Sequence, residues 1–438
     1  MSCRRQARNT GEERKIEVLN EELMEQVLEA ENLQAAYLAV KANKGAAGVD
    51  GISTGELAGH LREHWPGIKR KLEESRYKPD PVKTVVIPKA GGGERSLGIP
   101  TVTDRFIQQA LIGKLDGIFD PQMSESSFGF RRGRSAHQAV TKAKMHVVEE
   151  GKNWIVDIDI RAFFDQIDHD ILMRKIAGQI RDKRILKLIG SYLRGGRQQA
   201  DGTITRDARK GTPQGGPLSP LLGNVYLDAL DKELEARGLS FVRYADDVTI
   251  YTRSERSATR VLESLIRWLS KNLKLEVNRE KSRVRPPDEG SFLGFRITRG
   301  KIAVSEKSIE RFKKEVREIW NARWSVSSGD RIKRWQQYAK GWWNYFRLSE
   351  QKWEYEDLSG WVRRHMRKCI WQCWHNWKGR SNALRKLGAT GKSLRLAHSS
   401  RGAWRVSRAL NSTLTNKRLR SWGMEVPEDF DQALSEMT

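Results

Sequence analysis

Between residues 154 and 160 the chain alternates strictly, with Trp154, Val156, Ile158 and Ile160 on one side and Ile155, Asp157 and Asp159 on the other. A period of two marks a strand covered on one face, and here the open face carries two carboxylates. Farther on, the apolar stretches 241–244 and 248–251 meet at Asp246-Asp247 and leave room only for a tight hairpin. Any fold of this chain must therefore hold an antiparallel sheet with acids at one end. Setting these strands side by side would bring Asp159 and Asp246 onto one site.

The remaining patterns fill in an α+β region. Residues 15–44 read as one helix, with Leu23, Val27, Leu33, Tyr37 and Val40 forming its apolar stripe, and a second helix follows over 56–74. Strands at 84–88 and 96–99 are joined across Gly91-Gly92-Gly93 as a hairpin. Helices are expected over 104–116, 135–150, 221–234 and 256–273, and a last strand over 291–297, with Pro286-Pro287 as a hinge before it. After about residue 300 the composition changes. Ten of the fifteen Trp lie between Trp320 and Trp377, interleaved with Lys and Arg, and Trp335, Tyr338, Trp342 and Phe346 fall on one helical face. Tryptophan at that spacing suits a bundle core, so most of the ten should be buried.

Lys and Arg outnumber Asp and Glu by 80 to 55, a net charge of +25 that fits a polyanionic partner, nucleic acid above all. The three cysteines, Cys3, Cys369 and Cys373, are too few for a disulfide framework and fit a reducing compartment. With no apolar run long enough to span a bilayer, the expectation is a cytoplasmic protein with no membrane partner.

Phosphoryl transfer to a nucleotide uses two divalent cations about 4 Å apart. Mg²⁺ prefers hard oxygens and keeps several waters, so a few carboxylates from neighbouring strands suffice. Asp159, Asp246 and Asp247 are the candidates. Gly91–Gly93 superficially suggests a phosphate-binding P-loop, but no Gly-Lys-Ser/Thr follows. His365, Cys369 and Cys373 are spaced four apart on a helix; eight residues span about 12 Å, too far for the outer two to share one zinc. In residues 128–134, Arg131, Arg132 and Arg134 are packed between glycines and aromatics, a combination suited to phosphate contact and stacking along a template strand.

Residues 154–168 (WIVDIDIRAFFDQID), 211–228 (GTPQGGPLSPLLGNVYLD), 241–251 (FVRYADDVTIY) and 128–139 (FGFRRGRSAHQA) resemble the ordered blocks of group II intron reverse transcriptases, and 275–282 and 292–295 continue the series. The resemblance covers roughly residues 20–425. It implies a right-hand polymerase: fingers and palm over 1–300 with an N-terminal extension to about 80, a helical thumb or maturase domain over 301–375, and a basic DNA-binding domain over 376–438. It implies that Asp159, Asp246 and Asp247 are catalytic and hold two Mg²⁺, with Mn²⁺ able to substitute. Phe164 matches the steric gate under the sugar and Gln214 the contact to the incoming dNTP. Lys89 and Arg95 match a fingertip that closes on the triphosphate, and Lys281 a palm lysine positioned to protonate the leaving pyrophosphate.

Residues 331–346 (RIKRWQQYAKGWWNYF) resemble the maturase domain, which puts Arg331, Lys333, Arg334 and Lys340 on nucleic acid; 401–422 resembles the DNA-binding segment. The implied partners are group II intron RNA, an RNA template/DNA primer duplex and target DNA. No His-Asn-His endonuclease with paired cysteines follows Trp422, so the chain is expected to resemble endonuclease-free, class C-like members that do not nick a second strand. Two rival functions use the same features: a splicing cofactor with an idle polymerase site, and a host-recruited relative in repair or defence. The complete set of Asp159, Asp246, Asp247, Gln214 and Phe164 favours the enzyme.

Overall fold

The computed structural model describes residues 21–88, 93–206, 209–395, 397, 403 and 406–436, and the chain divides into two compact units at Arg285/Pro286. The first begins with α1 (Leu23–Val27), α2 (Ala30–Asn43) and α3 (Leu57–Glu73). The helix expected over 15–44 is interrupted: Glu29 takes an extended backbone, and the Asn32 side-chain amide donates to the Val27 carbonyl across the break.

Strands β1 (Val82–Pro88) and β2 (Glu94–Ile99) form the expected hairpin, in the register Val86 opposite Ser96. Then come α4 (Val102–Phe119), α5 (Ala136–Val148), β3 (Trp154–Ile158), the short α6 (Phe163–Gln166), α7 (His169–Ala177) and α8 (Lys183–Leu193). The short strands β4 (Arg197–Gln198) and β5 (Ile204–Thr205) extend the first hairpin into a sheet of order β2-β1-β4-β5. With α9 (Leu218–Ala236), β6 (Ser240–Tyr244), β7 (Asp247–Thr252), α10 (Glu255–Leu273) and β8 (Arg283–Arg285) the unit is complete.

Strand β3 is central in the second sheet, of order β6-β7-β3-β8, and all its pairings are antiparallel. The predicted alternation holds for the core face, where Val156, Ile158 and Ile160 join Leu265 and Leu269 of α10 and Leu227 and Leu230 of α9 in one cluster. Ile155 on the other face is also buried, so water reaches that face only from Asp157 onward.

The second unit opens with β9 (Phe295–Thr298) and β10 (Lys301–Val304), an antiparallel hairpin. The strand expected over 291–297 starts late because Leu293 and Gly294 have φ of +50° and +80°, which no strand accommodates. Helices α11 (Glu306–Ile319), α12 (Ser328–Phe346) and α13 (Trp353–Cys373) follow, then α14 (Trp377–Lys386), α15 (Gly391–Arg395), α16 (Ser407–Thr413), α17 (Asn416–Ser421) and α18 (Pro427–Ser435). Phe312 packs edge-on to Trp335 and 4.4 Å, centroid to centroid, from Trp342.

Of the ten clustered tryptophans, five are buried (Trp320, Trp335, Trp342, Trp343 and Trp371), while Trp353 and Trp377 are exposed, fewer inside than the spacing predicts. The compact unit starts at the paired prolines rather than near 300. No break marks residue 375, because Trp371 of α13 shares a core with Leu384, Leu410 and Leu414. The α+β class holds: antiparallel sheets in the first unit and helices over most of the second.

Candidate active site

The hairpin β6–β7 ends on Tyr244 paired with Asp247, leaving Ala245 and Asp246 as its two loop residues. Ala245 has φ +58°, a left-handed position that favours glycine and costs a residue with a Cβ roughly 1–3 kcal/mol. Its surroundings enforce it. Arg243, wholly buried, donates to the Ala245 carbonyl at 2.9 Å and to Asn224 Oδ1 at 2.8 Å. The same guanidinium forks onto Asp231 at 2.7 and 2.6 Å. Burial pushes the Asp231 carboxyl up and the Arg243 charge opposes it; the two-pronged geometry is that of a charge-assisted pair.

From the other side comes the loop before α5. Asn224 Nδ2 donates to the Gly129 carbonyl at 2.8 Å, and a Cβ on Gly129 would lie 2.3 Å from the Ala245 nitrogen. Glycine is there because the two backbones touch.

Strand β3 pairs Ile158 with Val248, so one further step sets Asp159 opposite Asp247. The backbone of Asp159 is fixed by the segment leading into β8: its N–H donates to Ser282 Oγ at 3.0 Å, and its carbonyl accepts from Asn278 N–H at 2.8 Å. Lys281 Nζ stands 4.0 Å from Asp159 Oδ2. Asp157, equivalent to Asp159 in the sequence pattern, is committed elsewhere, to Arg285 at 2.5 and 3.2 Å.

The remaining carboxylates crowd one another. Burial raises the Asp246 carboxyl, Asp159 adds to the rise, and Arg95 and Arg243 oppose it. Burial likewise raises Asp247, to about 6, with Asp246, Asp159 and Asp157 adding their repulsion. Asp247 keeps solvent access. Among the described residues no group of three or more acidic, histidine or cysteine side chains is arranged to hold a metal ion as it stands. Asp159, Asp246 and Asp247 are hard oxygen donors whose mutual repulsion a divalent cation would relieve.

Phe163 is buried and Phe164 half-buried, their centroids 5.1 Å apart. Both lean on α9 where Gly223 offers no side chain: a Cβ there would lie 3.1 Å from Phe163 and 3.3 Å from Phe164. The Phe164 carbonyl accepts from Thr212 N–H at 2.8 Å, tying it to the loop that carries Gln214. Gln214 accepts from Arg95 Nε at 2.9 Å, and its carbonyl accepts from Gly98 N–H at 2.7 Å. Arg95 on β2, Gln214 and the Asp246 carboxylate thus share one neighbourhood. Lys89 lies outside the described residues.

The basic residues proposed for template contact divide. Arg131 is buried, its guanidinium taken up by Asp120 at 2.6 Å and by the carbonyls of Ser124, Ser127 and Asp120, so it holds the loop together instead of facing a strand. Arg132 is exposed and 3.2 Å from Asp116, and Arg134 pairs with Glu125 at 2.6 Å. In the second unit Arg331 is likewise interior, donating to the carbonyls of Ile319, Asn321 and Trp324 and to Cys369 Sγ. Arg334 lies over Trp324 and pairs with Glu315, while Lys333 and Lys340 are exposed. Sequence reasoning missed Arg243, Asn224, Asp231 and Gly129; an arginine within an apolar strand, directly before the Asp-Asp turn, was the available signal.

An antiparallel sheet that offers carboxylates at a hairpin tip, beside a basic hairpin and a glycine-rich loop, is the palm of a template-directed polymerase. The comparisons carry this further: residues 87–297 match the reverse transcriptase (RNA-dependent DNA polymerase) family and 309–388 the maturase-specific domain of group II introns. The chain thus combines a reverse transcriptase domain with a group II intron maturase-specific domain. It is 28% identical over 327 residues to protein YkfC of Escherichia coli K12, a match covering 66% of this chain and 85% of that one. It is 35% identical over 250 residues to the group II intron-encoded protein LtrA of Lactococcus lactis subsp. cremoris, covering 57% of this chain and 40% of that one. A solved partial Cas6-RT-Cas1–Cas2 complex superposes with a TM-score of 0.37 at 26% identity, over 57% of this chain and 43% of that one. No helix among the described residues is long and apolar enough to cross a membrane.

Proposed function

We propose that this chain copies RNA into DNA at Asp159, Asp246 and Asp247, and binds group II intron RNA through its maturase domain to assist splicing and mobility. The observation that carries the reading is the convergence of three carboxylates with Arg95 and Gln214 around one strained turn. The three aspartates would hold two Mg²⁺, which on binding supply an activated 3′-hydroxyl and charge neutralisation for the leaving pyrophosphate.

The chain's own residues do the positioning. Arg95 presents a planar fork to the triphosphate of an incoming dNTP, and Gln214, held by Arg95, orients the nucleotide. The Phe164 ring lies under the sugar, where a 2′-hydroxyl would collide with it. Lys281, beside Asp159, is the proton donor to pyrophosphate as it departs. Arg132 and Arg134 track the template, and Lys333, Arg334 and Lys340 the RNA or duplex held by the maturase domain; target DNA is the third nucleic acid. A cytoplasmic setting completes the reading.

Primer extension tests the nucleotide seat. With Phe164→Ala, discrimination against rNTPs should fall by roughly tenfold or more while dNTP incorporation persists. Unchanged discrimination removes Phe164 from under the sugar.

A further inference from the structure

Helix α10 is buried along one line only. Ala258, Leu265, Leu269 and Leu273 are inside, in the cluster that holds Val156 and Ile158 of β3. On the far side, about 180° round at 3.6 residues per turn, stand Arg256, Arg260, Arg267 and Lys271. Their spacing of four, seven and four keeps all of them within about 60° of one another over about 22 Å of helix. All four are exposed and none has an ionic partner among the described residues. The one acid on the stripe, Glu263, already faces Arg279 at 3.4 Å. Arg256/Arg260 and Arg267/Lys271 are like-charge pairs one turn apart, an arrangement that destabilises an isolated helix by roughly 0.2–0.5 kcal/mol each.

Beside the stripe runs a shallow groove of about 610 Å³, whose lining includes Arg237, Ser257, Arg260, Ser264 and Arg267 and the single acid Glu263. No exposed large apolar side chain lies on α10, so the surface lacks the aromatic anchors of a protein interface and the stacking platform of a single-strand groove. A row of four cations, its one acid paired with a further arginine, and without either of these features, suits a polyphosphate backbone of fixed shape.

We infer that the outer face of α10 is a second nucleic-acid surface, one that holds the backbone of folded RNA. The inference rests on the polymerase reading for its division of labour. Helix α10 covers the Val156–Ile158 face of the sheet, whereas Asp159 belongs by alternation to the opposite face, so a strand held on α10 is not the strand being copied. The chain would grip a structured RNA while its carboxylates work on a primer–template.

The test changes Arg256→Gln, Arg260→Gln, Arg267→Gln and Lys271→Gln together in the full chain; glutamine at exposed helix positions keeps the fold. Binding of a blunt RNA hairpin with a blocked 3′ end is titrated over a range of salt, and extension of a separate, saturating primer–template is timed. The expected result is weaker hairpin binding, a salt slope shallower by roughly three, and an unchanged extension rate. Unchanged hairpin affinity and slope would overturn the inference, as would hairpin binding and extension falling by the same factor. If wild type fails to extend while the variant still loses hairpin binding, the surface stands and the polymerase reading falls.

Discussion

Carboxylates gathered at a hairpin tip repel one another, and the resulting pH behaviour can be measured. Burial and the neighbouring carboxylates push Asp247 up to about 6, and Asp246 is raised in the same direction. The charged, cation-binding form of Asp247 is therefore lost as pH falls through about 6, and that of Asp246 is lost above its ordinary carboxylate range. A bound divalent cation favours the charged form and lowers the apparent value. Extension rates should therefore show an acid limb near pH 6 at low Mg²⁺, moving to lower pH as Mg²⁺ rises; a limb indifferent to Mg²⁺ would refute the assignment. At this scale the sequence was informative about residue type but not about partner. Asp157 and Asp159 share one face of one strand, and only the fold commits Asp157 to Arg285. Arg131 and Arg331 look like surface cations in a basic chain, yet both are interior and bonded to carbonyls, because backbone oxygens left over by irregular loops need donors.

The turn after β6 is held by elements distant in sequence: the loop before α5 through Gly129, α9 through Asn224 and Asp231, and β6 itself through Arg243. Removing one partner of a buried pair such as Arg243–Asp231 costs about 3–5 kcal/mol, so that pair serves the fold as well as the site. Gly129 separates the two roles. Gly129→Ala places a Cβ 2.3 Å from the Ala245 nitrogen, and the turn must move. We expect extension to fall by about 10²-fold with the thermal unfolding midpoint little changed; full activity in this variant would show that the contact does not position Asp246. The strands carrying the acids were legible because alternation is a local signal. The late start of β9 and the break between α1 and α2 were not, since a left-handed Leu293 and an extended Glu29 answer to neighbours that a short window does not contain. The little strands β4 and β5, two residues each, exist only by pairing, β4 with β1 and β5 with β4.

Over the whole chain, a polymerase-like unit ending at Arg285 and a largely helical unit from Pro286 carry the matched reverse transcriptase and maturase families, with the first match running on to residue 297. The order of motifs made this organisation readable from sequence. Composition changes near 300, but packing begins the second unit at the paired prolines, where β9 and β10 already belong to the helices that follow them. The net charge of +25 fits a molecule that handles more than one nucleic acid at once. The central claim, that the Asp159–Asp246–Asp247 set is a working polymerase centre and not an idle relic on an RNA-binding protein, is tested most directly by primer extension on an RNA template with dNTPs and Mg²⁺, wild type against Asp246→Asn. The account predicts cDNA from wild type and none above background from the variant, with RNA binding equal in both. No extension by wild type despite tight binding of folded RNA, or extension undiminished by Asp246→Asn, would contradict it.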